Sequence, residues 1–148
     1  MPAGSRERGE TLLELVITVT IMGVAMVAII GGLGTAILMS SIHRNQATAG
    51  MVVRDYAEAV QAWVAAGHYD GSSAPDYSAA KVGFTPPTGF TAEPVKDQLE
   101  GPVRCWRTGA WQNCSAEEGL QQLTVHAVVD GDGRIDERLV LVLRRPGG

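Results

Sequence analysis

The chain has 148 residues, a formal net charge of −4 and 5% aromatic residues. This length suffices for one small domain, and the acidic balance gives no bulk electrostatic reason to expect nucleic-acid binding. The three histidines are scattered without metal-site or triad spacing, and no phosphate-binding or dinucleotide-binding fingerprint occurs. The sequence therefore predicts a protein that is not an enzyme and that holds no cofactor.

A short basic leader opens the chain. Residues 1–9 include Arg6 and Arg8 and have no apolar stretch of their own, whereas the 28 residues from Leu15 to Ile42 contain no charged side chain. As a helix this uncharged run would be about 42 Å long, which is enough to cross a bilayer. The positive-inside rule places the arginine end in the cytoplasm and the C-terminal part outside.

A single acidic residue, Glu14, follows Gly9 by five positions and directly precedes the uncharged run. A carboxylate at membrane depth costs about 2.5–3.5 kcal/mol on insertion scales, so it persists where it is paired or functional. In an ordinary membrane anchor, Glu14 would reach the cytoplasmic interface. In an assembling helix, it would find a partner charge instead.

The residues around this acid resemble the class III signal of type IV pilins and the related pseudopilins. The positions that carry the resemblance are Gly9, Thr11, Leu12, Leu13, Glu14 and Leu15. The resemblance implies that a prepilin peptidase cuts the chain between Gly9 and Glu10 and leaves the apolar helix attached. It also implies that Glu14 pairs with the new terminal amine of a neighbouring subunit, so that polymerisation neutralises two buried charges.

Glu10 departs from the phenylalanine or methionine that usually follows the cut in this family. A glycine followed by a glutamate is similar to pilin-like precursors of some Gram-positive bacteria. Cleavage is therefore expected here. Methylation of the amine of Glu10, which the same peptidase performs in the family, stays open.

Three glycines, Gly31, Gly32 and Gly34, interrupt the apolar run. Each costs about 1 kcal/mol relative to alanine in a helix interior. One interpretation is close packing against neighbouring helices, and the other is a soft point where the helix can melt or stretch. In the pilin family a proline often lies near this distance from the cut, and the glycines take its place here.

The resemblance implies a structural subunit of a type IV pilus-like or type II secretion-like filament. Its expected partners are other copies of itself or other pilins, the prepilin peptidase, the pilus assembly platform and the membrane. The precursor would be a single-pass cytoplasmic membrane protein, and the mature subunit would lie in a cell-surface filament. The alternative is a single-pass anchored extracytoplasmic binding module that is neither cleaved nor polymerised.

The chain is predicted to have an α+β fold, in which a long N-terminal helix packs on a small antiparallel sheet. The expected divisions are a leader at 1–9, a transmembrane and assembly helix at 10–42 and an extracytoplasmic domain at 43–148. Within that domain we expect helix to about Ala66, a loop over 67–102 and the sheet over 103–145.

The helical prediction beyond the span rests on an apolar stripe at spacings of four, four and three residues. The stripe consists of Val52, Tyr56, Val60 and Trp63. Gly67 is the expected C-terminal stop. The segment that follows is rich in glycine, proline, serine and threonine, which favours a surface loop that could contain a short helical or strand piece.

Residues 103–114 predict a tight hairpin with a two-residue type II′ turn at Gly109-Ala110. That register places Cys105 directly opposite Cys114. A cross-strand disulfide is feasible in this geometry, and an even cysteine count outside the cytoplasm favours it. Two free core cysteines are the alternative.

Residues 120–129 and 135–143 predict a second hairpin, because apolar residues alternate along the first of the two segments. In the second segment, Leu139–Leu143 is apolar at every position, which is typical of a central strand. The order of a helix followed by antiparallel strands agrees with the α+β prediction.

The connection of this hairpin contains Asp130 and Asp132, and Asp136 follows at the start of the second segment. Set against an EF-hand calcium loop, they fall on its third, fifth and ninth positions. The first and twelfth positions would hold Val128 and Leu139, whose side chains cannot chelate. A plain hairpin turn is therefore favoured, the three aspartates are a weak calcium candidate, and no other metal site is predicted.

Overall fold

The computed structural model describes residues 7–96, 103–115 and 119–147, with the backbone alone described at 7–10, 132 and 133. The elements in chain order are α1 Glu7–Ala65, α2 Ala79–Val82, β1 Phe90–Pro94, β2 Val103–Arg107, β3 Ala110–Asn113, β4 Leu120–Val129 and β5 Asp132–Arg144. The chain divides into two compact units, Met1–His43 and Arg44–Gly148, and α1 contributes to both. The predicted α+β order of a long helix followed by antiparallel strands is confirmed.

Strand β4 is the centre of the sheet in the second unit. On one side it pairs with β5 from Leu120 to Val129. On its other side, Val125–Val129 pairs with β1 and Gln121–Leu123 pairs with β2, while β3 extends the sheet beyond β2. All of these pairings are antiparallel. Strand β4 is therefore bonded to three other strands, and the sheet depends on it.

Strand β5 lies at an edge of the described sheet, so the prediction of a central strand over Leu139–Leu143 is wrong. Leu141 and Leu143 are buried in the core, whereas Val140 and Val142 are 53% and 57% exposed. The prediction failed because apolar residues on both faces do not require burial of both faces. Exposed valines are common on protein surfaces, so Val140 and Val142 can lie on the outer face of an edge strand.

The segment predicted as a loop over 67–102, with room for a short helical or strand piece, contains one of each. Phe90–Pro94 forms β1, which pairs with the second half of β4. Ala79–Val82 forms a single helical turn, α2, before that strand. The sheet therefore begins earlier than the predicted 103–145, because a pairing partner far along the chain selects a strand that local composition does not indicate.

The core of the second unit forms where one face of α1 packs on β4. The buried residues of that face are Ala49, Val52, Val53, Tyr56, Ala57, Val60 and Val64. Alternate residues of β4, namely Leu123, Val125 and Ala127, are fully buried in the same cluster. Trp63 is partly buried and stacks on His68 with ring centroids 3.9 Å apart. The predicted apolar stripe thus supplies the helix side of the core.

Helix α1 ends in a Schellman motif around Gly67. The N–H of His68 donates to the carbonyl of Trp63 at 3.3 Å, and the N–H of Gly67 donates to the carbonyl of Val64 at 3.0 Å. Gly67 has a φ of 94°, a left-handed value that glycine adopts without the steric penalty of a side chain. The predicted stop at Gly67 is therefore confirmed.

Strands β2 and β3 form the predicted hairpin, but the turn lies one residue earlier than Gly109-Ala110. Thr108 and Gly109 are its central residues, with φ values of 49° and 84°, which is the pattern of a type I′ turn. Trp106 then pairs directly with Trp111, and their rings meet edge to face with centroids 5.3 Å apart. Such a contact adds about 0.5–1.5 kcal/mol beyond burial and favours the observed register.

Cys105 and Cys114 form a disulfide despite the change of register. Cys105 pairs with Gln112, so Cys114 lies two positions further along on the same face, and the two α-carbons are 4.9 Å apart. Both cysteines are buried. Closing a loop this short is worth roughly 2–3 kcal/mol in the chain-entropy model. The bond ties the chain after β3 back to β2.

A buried polar network holds the loop after α1 against the helix and the sheet. The hydroxyl of Tyr77 donates to Oε1 of Gln121 at 2.8 Å and accepts the N–H of Asp70 at 3.0 Å. Tyr56 donates to the carbonyl of Tyr77 at 2.5 Å, and Nε2 of Gln121 donates to the carbonyl of Asp70 at 2.7 Å. Burial raises the pKa of Tyr56, which keeps this donor protonated.

Candidate assembly segment

Glu14 is the one charged residue between Thr11 and Ile42. Helix α1 is continuous through this stretch, and the side chain of Glu14 is exposed. The predicted cleavage positions, Gly9 and Glu10, lie in the first turns of α1, where the backbone alone is described. The leader before them lies mostly outside the described residues. The structure therefore places the acid on a helix, one turn beyond the predicted new terminus.

The hydroxyl groups of this stretch bond to their own helix. Thr18 donates to the carbonyl of Glu14 at 2.8 Å, and Thr20 donates at 2.7 Å to the carbonyl four residues before it. Thr35 donates at 2.9 Å to the carbonyl three residues before it. Such bonds satisfy a hydroxyl in apolar surroundings without a partner from outside. These hydroxyls therefore need no external partner, whereas the charged carboxylate of Glu14 does.

The apolar side chains of this stretch are exposed on every side of the helix. Val27 and Ile30, for example, are 72% and 71% exposed. A helix of a globular protein in water buries one face, whereas a helix that is apolar all round suits lipid or a place among other helices. Among the described residues α1 is long and apolar enough to cross a membrane, and none of its most apolar part is buried within the protein.

Small residues line the side of α1 that carries Glu14. At about 100° per residue, seven positions between Leu15 and Ile42 lie within about 40° of Glu14, and five of them are small. The small ones are Thr18, Ala25, Ala28, Gly32 and Ala36, which we call the Glu14 face. On the opposite side, five of eight positions hold valine or isoleucine. The motif alone does not connect Glu14 with these residues. The helical period of 3.6 residues places them on the same side of α1 and could have been applied to the sequence.

Gly31, Gly32 and Gly34 do not break the helix. A Cβ atom placed on any of them would meet nothing within 4 Å, so no contact inside the described chain requires glycine. Close packing against another helix would use the space that a missing side chain leaves. Gly32 belongs to the Glu14 face, whereas Gly34 lies about 200° around the helix from Glu14.

Residues 4–30 match the family model described as the prokaryotic N-terminal methylation motif. The chain carries a type IV pilin-like class III signal. The matched span includes Gly9, Glu10 and Glu14, and proteins with this motif are structural rather than enzymatic. The motif and the apolar helix together are consistent with membrane anchoring. A search of curated proteins and a search of solved structures each found no match.

The weak calcium candidate lies at the turn between β4 and β5. Asp130 and Gly131 form a two-residue turn, and the carboxylate of Asp130 accepts a hydrogen bond from the hydroxyl of Thr91 at 2.7 Å. The side chain of Asp132 lies outside the described residues. The described side chains contain no group of three or more His, Cys, Asp or Glu that could hold a metal ion. Calcium binding stays a weak prediction.

Asp136 is engaged by two basic side chains on the outer face of the sheet. Arg138 donates to one carboxylate oxygen from Nη2 at 2.6 Å and from Nε at 3.0 Å. Nδ1 of His126 lies 3.0 Å from the other oxygen. The hydrogen bond from Arg138 lowers the pKa of Asp136, burial opposes this effect, and the hydrogen bond with His126 lowers the pKa further. This carboxylate therefore contributes to the stability of the sheet.

Because the pKa of Asp136 is lower in the folded protein, its pairing stabilises the fold above the ordinary carboxyl pKa of about 3.9. That contribution is lost as the pH falls through the lowered pKa. Arg138→Gln should therefore lower the unfolding temperature near neutral pH and flatten the loss of stability between about pH 5 and pH 2. Calorimetry of the full chain in detergent micelles measures both effects.

The control for this experiment is Arg54→Gln, which changes an exposed arginine of α1 and should leave the acid profile as it is. If Arg138→Gln and the unsubstituted protein lost stability with acid in the same way, the role given to the pair of Arg138 and Asp136 would be contradicted.

Proposed function

We propose that this protein is a structural subunit of a type IV pilus-like or type II secretion-like filament. The match of residues 4–30 to the N-terminal methylation motif is the observation that carries the proposal. The apolar character of α1 on every side supports it, because such a helix can exchange lipid for neighbouring helices without exposing polar groups.

In this proposal a prepilin peptidase cuts between Gly9 and Glu10 and leaves α1 attached. The new terminal amine is mostly protonated at neutral pH. Glu14 of one subunit pairs with the terminal amine of its neighbour, and each charge that is neutralised avoids about 2.5–3.5 kcal/mol on insertion scales. The pairing sets the register in which subunits add. Glu10 places a second acid beside this junction, as in the Gram-positive variant of the motif.

The partners follow from this role. The precursor sits in the cytoplasmic membrane as a single-pass protein, where the prepilin peptidase and the assembly platform act on it. The mature subunit then polymerises with copies of itself or with other pilins, and the unit from Arg44 onward lies outside the cell. The disulfide of this unit supports an oxidising location, since such bonds persist outside the cytoplasm.

The proposal is tested by the intact mass and the N-terminal sequence of the protein from native membranes and from sheared surface material. We expect a chain that begins at Glu10 in the surface fraction, and its mass reports directly whether the amine is methylated. A chain that keeps Met1 or Pro2 in every fraction would overturn the proposal. The protein would then be an anchored binding module that is neither cleaved nor polymerised.

Glu14→Ala should leave membrane insertion intact and stop filament growth, because the terminal amine of the neighbouring subunit loses its counter-charge. The expected weakening of subunit addition is roughly 100-fold, from the insertion cost of one charge. Counting filaments by electron microscopy against the amount of membrane-bound precursor measures it. Glu58→Ala, which removes an exposed acid from the second unit, is the control and should assemble normally. Normal filaments from Glu14→Ala would refute the pairing.

The Glu14 face gives a second test, because two glycines on different sides of α1 can be compared. Gly32→Leu and Gly34→Leu add the same side chain, gain the same helix propensity and meet no atoms of their own chain. Overpacking a close helix contact costs about 1–3 kcal/mol, so Gly32→Leu should weaken assembly roughly 5- to 150-fold. Gly34→Leu should be affected less. Equal filament yields from the two variants would contradict packing through the Glu14 face.

A further inference from the structure

The outer edge of β5 is unevenly protected. Among the described residues β5 pairs with β4 alone, so its other edge presents backbone N–H and C=O groups without a strand partner. Natural sheets guard such edges with charges, prolines or bulges. The first half of β5 has charged residues at Asp136–Arg138 and a register shift beside Val128. The second half, Leu139–Leu143, has neither, and we call it the open edge.

Two apolar side chains of the open edge are exposed. Val140 and Val142 are more than half exposed on the outer face of the sheet, at 53% and 57%. A groove of about 490 Å³ lies between the last turns of α1 and the end of β5, lined by Gln61, Val64 and Val142 among others. A strand that approached this edge would therefore meet exposed valine side chains and backbone groups that no described strand pairs with.

The sequence of the open edge is palindromic. It contains Leu139, Val140, Leu141, Val142 and Leu143, which gives the same order in both directions about Leu141. If two copies pair antiparallel with Leu141 on the two-fold axis, Val140 of each copy lies opposite Val142 of the other. Both valines then stay on the outer face, because a two-fold axis perpendicular to a sheet keeps each face on its own side.

The charges that flank the open edge agree with this register. Glu137 of each copy falls opposite Arg145 of the other, which gives two pairs of opposite charge. Arg138 falls opposite Arg144, but Arg138 is already held by the carboxylate of Asp136 at 2.6 Å. The antiparallel pairing therefore sets two attractive charge contacts against two like-charge contacts, in each of which Arg138 is also bound to Asp136.

We propose that two copies of this protein pair through the open edge, antiparallel about Leu141, so that their two sheets become one. The contact uses the same surface on both copies and therefore forms a closed dimer. Polymerisation through α1 instead joins two different surfaces and can continue without limit. The pairing is therefore independent of filament growth and goes beyond the proposed function.

The register is tested by cysteine cross-linking of the full chain in detergent micelles. Differently tagged Val140→Cys and Val142→Cys proteins are mixed and mildly oxidised. Opposed residues have Cβ atoms about 4.5–5.5 Å apart and diagonal ones about 7–8 Å, so the mixed pair should cross-link several-fold more than either protein with itself. Thr124→Cys pairs with Val140 within the same sheet, one strand further from the edge, and should not cross-link between copies.

A charged edge gives the second test. Replacing both Val140 and Val142 by lysine should reduce the dimer seen by light scattering roughly tenfold or more, because like charges then oppose each other across the axis. Replacing both by threonine keeps the strand propensity without the charge and should retain the dimer. Since both side chains are exposed, neither change removes core contacts. Far-ultraviolet circular dichroism checks that both variants fold.

Equal cross-linking in all combinations, or a dimer that survives the lysine pair, would overturn the proposal. Glu14→Ala separates it from filament growth, because that variant should still cross-link between position 140 and position 142. Loss of the cross-link in Glu14→Ala would show that contact at the open edge depends on the helix, and the edge pairing would then fail as an independent contact.

Discussion

Helix α1 has two segments with different environments. Apolar side chains of the first segment are exposed on every side, whereas the second segment packs on the sheet, and the rest of the chain depends on this difference. From Leu12 to Leu38 its apolar side chains are exposed on every side, and its threonines bond to its own carbonyls. From Ala49 to Val64 one face of the helix is buried and the rest is exposed or half-buried. The second unit therefore has to supply a matching apolar surface, which alternate residues of β4 and β5 provide.

The features that could be predicted from the sequence depend on residues close together in the chain. The end of α1 near Gly67 follows from a local left-handed conformation, and the pairing of β4 with β5 follows from alternation and a short connection. The features that were missed depend on distant segments. Strand β1 is selected by its pairing with β4, and the buried Gln121 is explained by hydrogen bonds to Tyr77 and Asp70, which periodicity does not reveal.

In the candidate site, too, some features could be predicted from the sequence and others could not. Glu14 and the proposed cleavage position lie within the linear motif that residues 4–30 match, so local sequence alone is enough to propose them. Composition alone could not separate close packing from a soft point at Gly31, Gly32 and Gly34, and the helix is continuous through all three. The turn at Thr108 was missed because a β-branched residue at a positive φ is unfavourable, and the cross-strand contact of the two tryptophans favours the register that requires it.

The central place of β4 has a consequence for the time at which this domain folds. During synthesis β1, β2 and β3 leave the ribosome before β4, and β1 and β2 both require β4 as their partner. Until Leu120 and the residues after it emerge, only the hairpin of β2 and β3 can form, and the edge of β1 stays open to unwanted strand contacts. The sheet can therefore form only after β4 has been made. A chain that stopped before Leu120 would leave β1 and β2 without their pairing partner, and the remaining two-stranded hairpin would be marginally stable by itself.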